Sequence, residues 1–399
     1  MSDEHGRAPR PRRQGRPRPP RGRGARRHDR RGSADRGGAM TVQSTTPAFK
    51  RNVSEALADE QLQAALRVAK PGFSGARARA RAAMPEFDDL RDAARDLKDH
   101  VLGHLDHYLE AYERRVVASG GRVHWAESAE DARRIVLEIC REAGARTVNK
   151  GKTMISEECG INAHLEANGI LPVETDLGEY IIQLAGEHPS HIIAPAVHVT
   201  VEEIRERFRK AHGHLPEERD LSGLDTLLAE ARAVLREKYF EAEVGITGAN
   251  MLIAETGQSV IVTNEGNGDL SQSLPKVHVV MASIEKIVPT LEDACTILRV
   301  LGRSATGQEM SVYTTFSDGP RRMEDPDGPE AYHVILLDNG RSNMLGSEFQ
   351  DMLRCIRCGA CMNHCPVYNA VGGHAYGWVY PGPMGAVLTP SLIGVEEGG

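Results

Sequence analysis

From Gly121 onward the chain alternates short apolar runs with amphipathic segments of helical length, and this rhythm narrows the fold more than any other feature of the sequence. "RVHWA" (122–126) reads as a strand. "SAEDARRIVLEICREAGA" (128–145) reads as a helix, with Ser128 as N-cap, acids in the first turn and Gly144 near the end. "RTVNKGK" (146–152) follows, then a helical stretch, "SEECGINAHLEANG", with Ser156 as its expected cap, and two buried-looking runs, "ILPVET" and "HIIAPAVHV". Strands separated by helices join through crossovers, which lay helices on both faces of a mostly parallel sheet. The expected class is α/β.

Further on, Leu221, Leu224, Leu228, Ala231, Leu235 and Tyr239 recur at helical steps and predict a core-facing stripe. The period then drops to two. "MLIAET" and "SVIVTNEG" are separated by Gly257-Gln258, which predicts a hairpin and a locally antiparallel portion of the sheet, with "KVHVVMAS" as a further strand. "TLEDACTILRVLG" reads as a helix, and "SVYTTFS" and "AYHVILLDNG" as two more β-segments. Ahead of this body, residues 53–113 are helical and heavily charged. Ser54 is the expected cap, Leu57, Leu62 and Leu66 lie along one side, and Arg77, Arg79, Arg81, Arg91 and Arg95 read as a solvated face.

The charge is uneven. Residues 1–39 hold 13 arginines against four acids, a net of +9, so the remainder stands at −16 within an overall −7. This Arg-, Pro- and Gly-rich stretch lacks core-forming residues and reads as a disordered extension. Met40 opens "MTVQSTTPAFKRNVSEAL" like an ordinary protein start, so 1–39 is also read as a misassigned upstream segment. A nucleic-acid role for the arm is disfavoured, because no aromatic is interleaved with the arginines and the body is acidic. No apolar run is long enough to span a membrane and no signal peptide opens the chain, so the expected location is cytoplasmic.

Four of the seven cysteines crowd into "CIRCGACMNHCPVY": Cys355, Cys358, Cys361 and Cys365, followed by Pro366. The C-x2-C-x2-C-x3-C-P spacing lets three thiolates wrap one cuboidal 4Fe–4S cluster, with Gly359 and Ala360 allowing close backbone approach. Structural zinc uses paired C-x2-C knuckles a dozen or more residues apart, which is a different pattern. In two-cluster modules the fourth cysteine serves the other cluster, so Cys365 is expected to leave the set of Cys355, Cys358 and Cys361. No further cysteine follows Cys365. His364 reads as outward-facing, with an alternative as ligand or donor. Cys140, Cys159 and Cys295 read as buried small hydrophobes.

The cysteine segment, together with "VNKGKTMISEECGINAHLEANGILPVETDLGEYIIQL" and "GITGANMLIAETGQSVIVTNEGNGDLSQSLPKVHVVMASIEKI", resembles the lactate utilisation protein B family. These proteins are iron–sulfur subunits of a bacterial L-lactate oxidation system. The resemblance runs from Met40 onward. It implies a helical lead-in and a sugar-isomerase/CoA-transferase-like domain over 40–340, then a ferredoxin-like module over 341–399. It also implies two 4Fe–4S clusters, with Cys355, Cys358 and Cys361 on the first and Cys365 on the second. The family's second cysteine motif lies beyond "LIGVEEGG", so the module reads as partial, and the open reading frame as truncated. Implied partners are other subunits of the lactate oxidation system and electron donor and acceptor proteins or quinone.

Within the α/β body, Lys150 and Lys152 follow a strand and precede a helix, where they could present charge to a carboxylate or phosphate; they read equally as solubilising residues. Glu265 lies in a glycine-bearing loop after a strand, the position where α/β sheets hold ligands. The resulting expectation is an electron-transfer subunit of an L-lactate-oxidising complex. The alternative is a small-molecule-binding or CoA-transferase-like α/β enzyme with a structural metal site.

Overall fold

The computed structural model describes residues 44–399, so the Arg-rich segment 1–39 lies outside the described residues. Ten strands, β1 (Arg122–Ala126), β2 (Thr147–Gly151), β3 (Leu171–Glu174), β4 (Val244–Gly248), β5 (Met251–Ile253), β6 (Ser259–Thr263), β7 (Val277–Ser283), β8 (Ile287–Val288), β9 (Tyr313–Ser317) and β10 (Ala331–Leu337), form two sheets. The larger is wholly parallel in the order β1-β10-β7-β4-β2-β3, and the smaller is mixed, β8-β5-β6-β9.

Four charged helices lead in: α1 (Phe49–Ala58), α2 (Glu60–Ala82), α3 (Phe87–Leu102) and α4 (Leu105–Ala118). The expected cap at Ser54 is corrected: Ser54 sits inside α1 with its hydroxyl on Lys50 O, while Asp59 separates the helices and caps α2 through Leu62 N. The Asp59 side-chain carboxylate sits at the helix start, where it can accept from a first-turn N–H, whereas a serine placed mid-run meets main-chain groups already paired. Leu57 is accordingly exposed and Leu66 buried. Arg81, Arg91 and Arg95 pair with neighbouring acids on a solvated face, but Arg77 leaves it and lies over the Phe87 ring.

Helices α5 (Ala129–Glu142), α6 (Met154–Cys159) and α7 (Ile161–Ala167) cover one face of the parallel sheet. There Ile135, Val136 and Ile139 meet Val148, Ile246, Val279 and Ile335. The other face is covered by α4, whose Leu109, Tyr112 and Val116 meet Val280, Ala282 and Val334. Because β7 is buried on both faces, its sequence is apolar apart from His278 and the terminal Ser283. Ser128 caps α5 as expected, accepting from Asp131 N, and Gly144 follows with φ +64°. The cap of α6, however, is Thr153, which accepts from Ser156 N; Ser156 is turned inward instead.

The run 191–199 is a turn-rich segment, not a strand. Its chain folds back through Ser190 N to Pro195 O, 3.1 Å, and is occupied by contacts with the C-terminal residues. Helices α8 (Leu177–Ala185) before it and α9 (Val201–Ala211) and α10 (Leu224–Glu241) after it share a core of Tyr180, Phe208, Leu227 and Leu235. The stripe expected on α10 is shifted: Leu224 and Leu228 are exposed, and Leu227 and Val234 are buried beside Ala231, Leu235 and Tyr239.

The hairpin turns at Gly257, φ +81°, and pairs β5 with β6 antiparallel. It belongs to the second sheet and not, as expected, to the first. Asn250 N donates to Val260 O and Asn250 Oδ1 accepts from Val262 N, which draws the chain off the end of β4. Helix α11 (Asn267–Ser273) packs on β4, and α12 (Leu291–Ala305) on the hairpin sheet through Ala294, Ile297 and Leu298. After β10 the chain forms short helical turns, including α13 (Ala360–His364), α14 (Tyr368–Val371) and α15 (Gly382–Ile393). They share one core with the body: Trp378, Tyr380, Met384 and Leu388 pack with Leu102, Met154 and Ile192.

Candidate metal centre and the adjoining cavity

The connection leaving β2 runs outward to β3, whereas the one leaving β4 runs the opposite way to β7, so the carboxyl ends of β2 and β4 flank a topological switch point. Ligands of open parallel sheets bind in the crevice at such a point. Here a cavity of about 190 Å³ opens between Lys152 and Thr153 after β2 and Gly248, Ala249 and Asn250 after β4. Lys286 and Arg357 form another part of its wall, and Glu265 lines it too.

The predicted lysines have separate fates. Lys150 is fully buried within β2 and does not line the cavity; its ammonium meets Glu157, Glu174 at 2.6 Å and Ser156 Oγ at 2.7 Å. Burial opposes its charge, but Glu157 and Glu174 outweigh burial and hold its pKa above the usual lysine value. It is thus neither a ligand-facing cation nor a solubilising one. Lys152, with φ +57°, reaches the cavity and pairs with Asp176 and, at 3.1 Å, with Glu265. Burial, reinforced by Glu174 and Asp176, raises the nearby Glu179 carboxyl well above the carboxylate range.

The cysteines lie on the turns leading into and through α13. Two left-handed residues, Arg357 (φ +60°) and Gly359 (φ +73°), curl the chain between the first three. Arginine enters this region at a steric cost that the surrounding contacts must offset. Arg357 is held at NH2 by Glu285, 3.1 Å, and lies over the Tyr380 ring at 5.3 Å. A side chain at Gly359 would come within 3.1 Å of His191 Cε1. His191 accepts from Ile193 N on Nδ1 and therefore donates from Nε2 to Asn363 Oδ1, 2.9 Å; Tyr368 donates to Ser190 O, 2.6 Å. The segment 190–195 is in this way clamped against the cysteine turns.

Several features of the donor set fit an anionic iron–sulfur group. Arg357 N donates to Cys355 Sγ at 3.4 Å and Tyr368 N to Cys365 Sγ at 3.5 Å, the main-chain N–H contacts that stabilise thiolates. Cys355, Cys358 and Cys361 act electrostatically on one another, whereas Cys365 faces Tyr376 Oη at 4.0 Å. Burial pushes the Cys358 thiol up to about 11 and also raises Cys361, so binding metal must displace protons. Lys98, Lys286 and Arg357 act on Cys355, and with Arg341 they make four cations against two carboxylates, Glu158 and Glu285. Burial pushes Lys98 down to about 8, and burial with the Arg357 charge does the same to Lys286. Burial works to raise Glu285, but Arg341 and Arg357 outweigh it and bring the carboxyl to about 2. The surplus of positive charge is what a thiolate-bound anionic cluster would neutralise.

His364 is exposed, its Nδ1 on Ala360 O at 2.9 Å. Helix α13 ends at His364, and Pro366 follows it. Cys140 and Cys159 are buried as expected, but Cys295 is exposed on α12. Sequence reading missed Glu285, Lys286, Arg341 and Arg357. The first two end an apolar β-run and Arg357 stands inside the cysteine run, and charged residues in such places were the available signal.

Two family models match the chain: the LUD domain over 109–337 and the 4Fe–4S dicluster domain over 351–395. Lactate utilization protein B of Bacillus velezensis is 43% identical over 359 residues, covering 90% of this chain and 75% of its own length. The chain belongs to the lactate utilization protein B family. Lactate utilization protein B of Bacillus subtilis is 41% identical over 363 residues, with 90% and 74% covered, and an uncharacterised electron transport protein of Escherichia coli is 40% identical over 358 residues, with the same coverage. The chain therefore spans about three quarters of the length of these lactate utilization protein B relatives. Its cofactor is of the 4Fe–4S type, carried by the dicluster domain. Among the described residues no helix is long and apolar enough to cross a membrane.

Proposed function

We propose that this chain is the iron–sulfur electron-transfer subunit of a multi-protein system that oxidises L-lactate to pyruvate and so allows growth on lactate. The observation that carries this reading is the run of thiols at Cys355, Cys358, Cys361 and Cys365, with Lys98, Lys286 and Arg357 all acting on Cys355. Family membership supports the lactate-utilisation role. A 4Fe–4S cluster accepts and passes on one electron at a time.

The chain's own residues set the position and potential of that group. Cys355, Cys358 and Cys361 would hold the first cluster and Cys365 would serve a second. Lys98, Lys286 and Arg357 favour the more negative, reduced state, while Tyr368, Tyr380 and Trp378 keep water from one side. Cys361 is exposed, which gives a partner close approach. The partners in this reading are the other subunits of the system and an electron donor and acceptor, protein or quinone.

Replacing Cys358 with Ser in the intact gene should abolish growth on lactate and lower bound iron and acid-labile sulfide in the anaerobically purified protein. Unimpaired growth with full iron content would overturn the reading.

A further inference from the structure

Away from the cysteine thiols, three side chains bring metal-ligating atoms to one point. An oxygen of Glu187, a ring nitrogen of His198 and a ring nitrogen of His374 lie within 4.8 Å of one another, the first two residues partly buried and the third exposed. Glu187 follows α8, His198 precedes α9, and His374 opens the single helical turn His374–Tyr376. Close backbone approach joins them: a methyl group on Gly373 would lie 1.8 Å from Ser190 O. The two imidazole rings stand 4.4 Å apart between centroids.

Each of the three is also held from behind. Arg207 donates to Glu187 Oε1 at 3.0 Å, while Glu187 Oε2 faces His198 Nε2 at 2.9 Å. A carbonyl only accepts, so His374 donates from Nε2 to His188 O at 2.7 Å, and in the neutral ring Nδ1 keeps its lone pair. The Ser190 hydroxyl has one proton for two neighbours, Pro195 O at 3.1 Å and His198 Nδ1 at 2.7 Å. Given to the carbonyl, that proton leaves His198 donating from Nδ1 and turns its Nε2 lone pair on the carboxylate. Two acceptors so placed need a cation between them. Outer partners on the far nitrogen of a histidine and the far oxygen of a carboxylate are what orient such groups on a metal. As an ion pair, Glu187 is complete with Arg207 and His198, and it leaves the second imidazole unexplained.

We propose that Glu187, His198 and His374 bind one divalent transition-metal ion, with water in the remaining position on the exposed side. Two imidazoles and one carboxylate suit zinc and its neighbours, whereas calcium and magnesium take sets of oxygens. A tetrahedral ion with bonds of about 2.0–2.1 Å spaces its ligands by about 3.4 Å, so the Glu187–His198 pair opens by about half an ångström as the ion enters. The ion ties both ends of the segment 187–198 to the turn beyond the cysteines, a fastening additional to the His191–Asn363 and Tyr368–Ser190 bonds. The site shares no ligand with the iron–sulfur group and does not depend on the electron-transfer reading.

The test uses the anaerobically purified full chain, dialysed to equilibrium against zinc chloride beside His374→Ala and Glu187→Gln. Because the cysteines also take zinc, the quantity read is the difference between wild type and variant. Wild type should hold one equivalent of zinc more than His374→Ala, whose exposed position spares the fold, and iron content should be the same in both. Glu187→Gln should bind that equivalent at least about tenfold more weakly. Zinc K-edge absorption should assign to the extra equivalent nitrogen and oxygen neighbours at about 2.0–2.1 Å, where sulfur would stand at about 2.3 Å. Zinc should also raise the urea midpoint of wild type more than that of His374→Ala. Equal zinc content in wild type and His374→Ala, or an extra equivalent surrounded by sulfur alone, would overturn the proposal. If Glu187→Gln fails to fold, the His374→Ala comparison decides.

Discussion

Arg341 is fully buried, a position that arginine reaches only when its charge is answered on several sides. It donates to both oxygens of Glu158, at 2.9 and 2.7 Å, and pairs with Glu285 at 3.2 Å, while Tyr380 donates to Glu158 at 2.7 Å. Arg341→Met should cost about 3–5 kcal/mol, because it strands two buried carboxylates, and chemical denaturation would measure the loss. Replacing Arg341, Glu158 and Tyr380 together by apolar residues of similar volume should cost less than the single change. None of this was legible in the sequence. Arg341 stands in a polar turn, "DNGRSN", and nothing local distinguishes it from a surface arginine; its partners lie 183 and 56 positions away, as their numbers show. The cysteines, in contrast, were legible because their chemistry depends on spacing within eleven positions.

At the scale of elements, β4 and α11 approach so closely that a methyl group on Gly245 would lie 1.7 Å from Ser271 O. Backbone cannot retreat as a side-chain tip can. Gly245→Ala should therefore destabilise the fold by about 3 kcal/mol, read as a lower denaturation midpoint with unchanged Gly257 hairpin pairing. In β7, His278 is buried with Nε2 on Thr247 Oγ1 at 2.8 Å, and burial pushes its pKa down to about 3 from 6.5. The unfolded chain then binds more protons than the folded one between about pH 3 and 6.5, so stability falls as pH drops through that window. His278→Gln should flatten the fall by up to about 1.4 kcal/mol per pH unit, measured by urea unfolding at pH 6.5 and 5. The strands and their parallel sense were legible, since β7 shows a continuous apolar run. The division into two sheets was not: it turns on Asn250, whose backbone and side chain both bond to β6. Periodicity reports which residues are buried and is silent on which sheet buries them.

At the scale of the whole molecule, body and cysteine turns are joined by one apolar core and one charge network, with Glu285 receiving Arg341 from after β10 and Arg357 from between the cysteines. Loading iron should accordingly protect the body as well as the turns. Hydrogen exchange at β7 and β10 is expected to be slower in cluster-loaded than in iron-free protein, and equal exchange in both would show the two parts to be energetically independent. Lys98, Lys286 and Arg357 converge on Glu285, the one carboxylate among the described residues that acts on all three. Loss of an anionic group from the cysteines would leave these cations with Glu285 as their shared counter-charge, and their mutual repulsion would then grow where the cysteine turns meet the body.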